Sequence, residues 1–167
     1  MKSRTRLAVV VSVALLALVT GLLCRLDGPA AAPAQVPEEL RVLSGWDRQR
    51  AAAYASGDVA ALRALYVPGS GTGRQDAAVL RAYADRGLVV RGLRMQVLAC
   101  DISYSGPGRI RLVVTDRVQG AVVVRGAARD PTAIRLPSDR PSRRVVTFVR
   151  RAGRWLVAEV RPAARRR

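Results

Sequence analysis

Histidine is absent from this chain of 167 residues. That absence removes Ser-His-Asp and Cys-His catalysis and any imidazole metal site. Cysteine is nearly absent. Cys24 and Cys100 stand alone and far apart, so they can form neither a zinc cluster nor a disulfide framework. Lysine is reduced to Lys2, and aromatic residues number two Trp, four Tyr and one Phe. Single-strand nucleic-acid surfaces interleave aromatic stacking platforms with basic residues. So few rings, most of them in helical or apolar stretches, disfavour nucleic acid as a partner. No metal and no resident cofactor is expected from such a composition.

What is present is arginine and small apolar residues. The chain carries 29 basic against 12 acidic side chains, a net charge of +17, and 50% of its residues are hydrophobic. With a single lysine among the basic residues, the skew toward Arg, Ala, Val, Gly and Leu is what a GC-rich genome produces. The positive excess therefore has two readings. One is a solvated arginine surface; the other is attraction to a polyanion such as lipid headgroups or an anionic envelope polymer.

The N-terminus is basic at Lys2, Arg4 and Arg6, and an apolar run follows from Leu7 to Leu23. A run of that length is at the short end of what crosses ~30 Å of hydrocarbon as a helix. Arg25 and Asp27 behind it cancel, so the charge asymmetry places residues 1–6 in the cytoplasm and everything after the span outside. This predicts a single-pass protein of the cell membrane with an extracytoplasmic domain. An uncleaved signal anchor over 7–24 is favoured. A cleaved signal peptide would use Ala32-Pro33-Ala34, which lies far downstream beyond two charges. Lipid modification of Cys24 is a third option, opposed by the bulky Leu23 before it.

Residues 25–37 are Pro- and Ala-rich and read as an extended linker. Pro37 followed by Glu38 and Glu39 predicts a helix start, and Gly57 its stop near Ser56. Asp58 is an N-cap for a second helix to about Tyr66. Thr72 and Gln75 form a possible capping box for a third helix running to Arg86, ahead of Gly87. From Leu88 the texture changes to strands over 88–98, 110–118, 121–124, 145–149 and 155–160, separated by 105–108, Gln119-Gly120, 126–142 and Ala152-Gly153. The apolar parity switches near Val97-Leu98, which predicts a bulge that bends a long strand. The predicted fold class is α+β, with three helices packed on a curved antiparallel meander after one transmembrane helix. Residues 162–167 are a basic tail.

Among polar residues, Asp116 shares a strand face with Ile110, Leu112 and Val114. It is either an acid at the interior or a strand-end partner for an arginine on the next strand. Asp47 either points at the core behind Leu40 and Leu43 or pairs on the helix surface with Arg50. The Gly69-Ser70-Gly71-Thr72-Gly73 loop lacks the ending of a phosphate-binding loop and follows no strand. Arg143, Arg144, Arg150 and Arg151 form the densest internal basic cluster and are the candidates for contact with an anionic surface. Cys100 falls in an apolar strand, as a small buried hydrophobe would.

Several short motifs carry a resemblance. Trp46-Asp47, Ala53-Tyr54, Gly57-Asp58, Leu62 and Leu65-Tyr66 in the helical half, with Gly153-Arg154-Trp155-Leu156-Val157 at the end, resemble the nuclear-transport-factor-2-like (SnoaL-like) superfamily. Its A-x-x-x-G-D joins the first two helices, and its G-x-W opens the last strand. The resemblance covers about residues 38–161 and implies a cone-shaped domain with an interior pocket. Exported actinobacterial proteins with one membrane helix and such a domain, Mce-associated proteins among them, are similar in layout. Within the implied cone, Trp46, Tyr54, Tyr66, Tyr83, Asp116 and Trp155 become the pocket-lining candidates. The superfamily's enzymes use Asp with His or Tyr for acid–base chemistry, and this chain departs from every His-dependent version. The function expected first is therefore a non-catalytic, membrane-anchored binding or assembly module, partnered with the membrane and an envelope complex or polymer. The alternatives are an isomerase or cyclase with Asp116 as base and a Tyr as acid, or a carrier of an apolar ligand.

Overall fold

The computed structural model describes residues 36–125 and 133–164. The predicted cytoplasmic segment 1–6, anchor 7–24 and nearly all of the linker 25–37 lie outside them, as do Cys24 and the end of the basic tail. Among the described residues no helix is long and apolar enough to cross a membrane.

Helix α1 (Glu38–Ser56) starts at Pro37 and ends at Gly57, whose φ of 73° is the left-handed C-terminal conformation glycine adopts freely. Helix α2 is only Val59–Arg63, capped by the Asp58 carboxylate accepting from the Ala61 N–H. It stops short of the predicted Tyr66 because Leu65–Val67 turn extended and pair with a strand. The Val67 N–H donates to the Val157 carbonyl and the Val157 N–H to the Leu65 carbonyl, both at 2.9 Å. Helix α3 (Gly71–Ala84) is capped by Ser70, whose Oγ accepts from the Gly73 N–H. The predicted capping box on Thr72 is corrected: Thr72 Oγ1 lies inside the helix and accepts from the Val160 N–H at 3.0 Å. The helix also ends two residues before the predicted Arg86.

Strands β1 (Leu88–Gly106) and β2 (Arg109–Arg125) form one long antiparallel ribbon. Gln119-Gly120 does not interrupt β2, contrary to expectation, since Arg94 pairs opposite Gly120 and carries the ladder through. A short strand β3 (Ile134–Leu136), not anticipated, pairs with the far half of β2. Strand β4 (Ser142–Arg151) pairs with the near half, Arg109 to Asp116, and β5 (Arg154–Pro162) closes the sheet in the order β1-β2-β4-β5. The β4–β5 turn places Ala152 and Gly153 both at positive φ, 46° and 77°, as a tight hairpin requires.

The predicted bulge is present. Val97 pairs with Asp116 and Ala99 with Thr115, so Leu98 is the extra residue, and further register shifts fall around Gly92 and Ser103. Each bulge adds twist and bends β1. The apolar residues of the helices and of one sheet face meet in a core around Leu62, Leu80, Leu112, Val114, Phe148 and Val157, which are essentially inaccessible to water. The α+β class and the helix-on-curved-sheet arrangement are those expected.

Candidate functional site

Helix α1 contributes to two polar centres. In the first, Asp76 of α3 accepts from four donors. Arg50 Nε and Nη2 reach its two oxygens at 2.7 Å each, Tyr54 Oη donates to Oδ1 at 2.7 Å, and Tyr66 Oη donates to Oδ2 at 2.7 Å. Burial alone would raise the Asp76 pKa; the hydrogen bonds and charge of Arg50 and the two tyrosine hydroxyls outweigh it and hold the carboxyl below its ordinary value. Burial, followed by the Asp76 charge, pushes both tyrosine hydroxyls up. The Arg50 guanidinium also lies over the Tyr54 ring at 4.9 Å. This cluster ties α1, the α2–α3 connection and α3 together. The expected surface pair between Asp47 and Arg50 is therefore corrected, because Arg50 is fully engaged by Asp76.

In the second, Asp47, one turn before Arg50 on the same helix, lines a cleft of about 530 Å³ between α1 and the bent part of β1. Its apolar lining comes from Leu40 and Leu43 on α1 and Leu93, Met95 and Val97 on β1, with the polar side chains of Ser44 and Gln119 among it. The bulges place these β1 residues there by turning the strand toward the helix. Burial lifts the Asp47 carboxyl to about 6; the nearby Asp116 charge adds to the rise, and Arg50 and Arg144 oppose it. A carboxyl lifted this way changes charge just below neutral pH.

Asp116 combines both of its sequence readings. It is buried on the Ile110, Leu112 and Val114 face, 4% exposed, and it is paired with the neighbouring strand. Arg144 Nε donates to Oδ1 at 3.0 Å and Nη2 to Oδ2 at 2.5 Å, a two-point ion pair. That geometry corrects two expectations. Asp116 is not a free base, and Arg144 is not an outward surface cation. Arg143 is 4.0 Å from Asp101, while Arg150 and Arg151 are exposed at the end of β4, with Arg150 over the Trp155 ring at 5.9 Å.

The aromatic candidates do not converge. Tyr54 and Tyr66 belong to the Asp76 cluster. Tyr83 is half-buried under the Arg86 guanidinium at 5.3 Å. Trp46 packs edge-on against Tyr66 and Phe148, and it shares with Trp155 a second groove of about 440 Å³ on a different face of α1. None of the six predicted pocket-lining residues lines the Asp47 cleft. Cys100 is half-buried, with its thiol pushed up by burial. Among the described residues no group of His, Cys, Asp or Glu is arranged to hold a metal.

Sequence reasoning missed Asp76 altogether, and with it the partner of Arg50. A signal for it existed, because Asp76 lies three residues after Gly73 and four before Leu80, on the stripe of α3 that is buried.

No protein-family model and no curated protein sequence matches the chain. Solved structures do. The intermembrane space region of the chloroplast protein ARC6 aligns over 80% of this chain and 100% of its own, at 14% identity and a TM-score of 0.51. Aln2 from a Streptomyces species aligns over 75% of this chain and 90% of its own, at 16% identity and a TM-score of 0.50. A nuclear-transport-factor-2-like protein with a cystatin-like fold from Novosphingobium aromaticivorans aligns over 96% and 88%, at 19% identity and a TM-score of 0.43. The first two are likenesses of fold alone: helices packed on a curved antiparallel sheet.

Proposed function

We propose that this chain is a binding module, held outside the cell membrane by the apolar segment from Leu7 to Leu23, that takes an apolar ligand in the α1/β1 cleft without turning it over. The observation that carries the reading is the isolation of Asp47 in an aliphatic cleft. Acid–base turnover needs a second proton-transfer group within reach of the same substrate. Tyr54 and Tyr66 donate to Asp76 and do not line the cleft, and Asp116 is paired with Arg144. The cleft walls are suited to excluding water from a hydrocarbon.

One observation favours a second reading, an isomerase or cyclase in which the base is Asp47 rather than Asp116. A carboxyl lifted to about 6 is near the value a general base needs at neutral pH. The two readings separate in one experiment. Full chain in phosphatidylcholine nanodiscs is incubated with ketosteroid and polyketide substrates, and the mixture is analysed by mass spectrometry. Binding with substrate recovered unchanged supports the module. Turnover that disappears in Asp47→Asn supports the enzyme and overturns the module. An alkaline phosphatase fusion after Arg167, active in intact cells, supports the outside placement; an inactive fusion contradicts it.

A further inference from the structure

We infer that the ligand of the α1/β1 cleft is a single-chain amphiphile with an anionic headgroup, its chain between α1 and β1 and its headgroup between Arg48 and Arg94. This rests on the binding reading above and names its ligand class.

Three observations carry it. The first is the wall chemistry. The apolar lining is aliphatic, and no aromatic ring lines the cleft, so nothing there stacks a planar ring system while an alkyl chain finds contact along its length. The second is the rim. Arg48 on α1 and Arg94 on β1 both line the cleft, both are exposed, and neither guanidinium has an ion-pair or hydrogen-bond partner among the described residues. They come from opposite walls, so an anion held in the cleft can accept from both forks. The third is orientation. Asp47 is the acidic residue of the lining and is half-buried, deeper than the two exposed arginines. An anion is repelled from the Asp47 end and attracted at the rim, so the ligand enters chain first.

The test uses the chain's two methionines. Met95 lines the cleft, and Met1 sits in the predicted cytoplasmic segment as an internal control. Full chain carrying ¹³C-methyl methionine, in phosphatidylcholine nanodiscs, is titrated with octyl phosphate, sodium octanoate, octanol and octyltrimethylammonium, and with inorganic phosphate alone. The expected result is saturable movement of the Met95 methyl with both anionic alkyl probes, and a still Met1. Octyltrimethylammonium should need roughly tenfold or more higher concentration, as should octyl phosphate with Arg48→Glu or Arg94→Glu. Octanol should bind weakly through its chain, and inorganic phosphate should leave Met95 unmoved. Comparing octyl phosphate with octanoate separates a phosphate from a carboxylate headgroup. Equal affinity for the cationic probe, or full affinity in both arginine variants, would overturn the headgroup assignment while leaving the cleft as a binding site. No movement of Met95 with any alkyl probe would overturn the binding reading itself. Both arginines are exposed and unpaired, so the variants keep the fold, and an unchanged Met95 position before titration verifies it.

Discussion

Asp76 and Asp47 both border helix α1 and are both withdrawn from water, yet their carboxyls move in opposite directions. Asp76 has four donors within hydrogen-bond reach and is held below its ordinary range. Asp47 makes no such bond in the structure and is lifted to about 6. Burial is common to both and penalises the charged form in both. What differs is donor supply, which decides whether a withdrawn carboxylate clamps a structure or remains available to chemistry. Asp116, buried more deeply than Asp47, is held by a two-point contact from Arg144. It acts on Asp47 only through its charge.

The largest way to break this contrast is to remove the clamp. Asp76→Asn leaves Arg50 buried without its counter-ion and should cost about 3–5 kcal/mol in denaturant unfolding. Tyr54→Phe and Tyr66→Phe should each cost about 1 kcal/mol and add incompletely, because both hydroxyls serve the same carboxylate. If Asp76→Asn proves neutral, Asp76 is not a clamp.

A smaller effect tests the packing that holds the clamp in place. A Cβ built on Gly73 would lie 2.7 Å from the Tyr66 Cβ. Gly73→Ala should therefore cost about 1–3 kcal/mol despite the better helix propensity of alanine, since the Tyr66 backbone is held by β5. A stabilised Gly73→Ala protein would contradict the close approach of α3 and Tyr66.

Asp47→Asn should go the other way. The folded state binds the Asp47 proton more tightly than the unfolded state, so the Asp47 contribution to stability falls as pH rises from its unfolded value of about 4 to about 6, and is fully unfavourable above that. Removing the charge should stabilise the protein by about 1–2 kcal/mol at pH 7 and by almost nothing below pH 4. The opposite sign holds for Asp76, whose contribution is present above its ordinary carboxylate range and is lost as pH falls through its lowered folded value. The charged groups that shift the Asp47 carboxyl are Arg50 on its own helix, Asp116 on β2 and Arg144 on β4. Asp116→Asn leaves Arg144 facing Asp47 without a counter-ion, and should lower the Asp47 pKa in a carboxyl titration.

Much of the fold was legible because its signals are local. Pro37 with two acids, Gly57, Asp58 as a cap, and the parity switch at Val97-Leu98 each mark one position through one short-range mechanism. The errors lie where a tertiary contact overrode a local signal. Leu65–Val67 give up helix to pair with β5, and Thr72 is drawn from a cap role to Val160. Gly120 stays in the ladder because β1 runs alongside. The site was half legible. Asp116 and Asp47 were both marked by their apolar neighbours, but their partners were not. Arg144 reaches Asp116 across a strand pair, and Arg50 chooses Asp76 at a sequence separation of 26 rather than Asp47 at three. With 28 arginines among the chain's 29 basic residues, sequence offers too many cations to tell which acid takes which.

The most direct test is a site-resolved carboxyl titration of the full chain by ¹³C NMR, following Asp47 and Asp76 together. The account predicts a midpoint near 6 for Asp47 and one below the ordinary aspartate value of 3.8 for Asp76. Two midpoints on the same side of 3.8, or Asp47 titrating at or below it, would contradict the contrast between a clamped carboxylate and an open one.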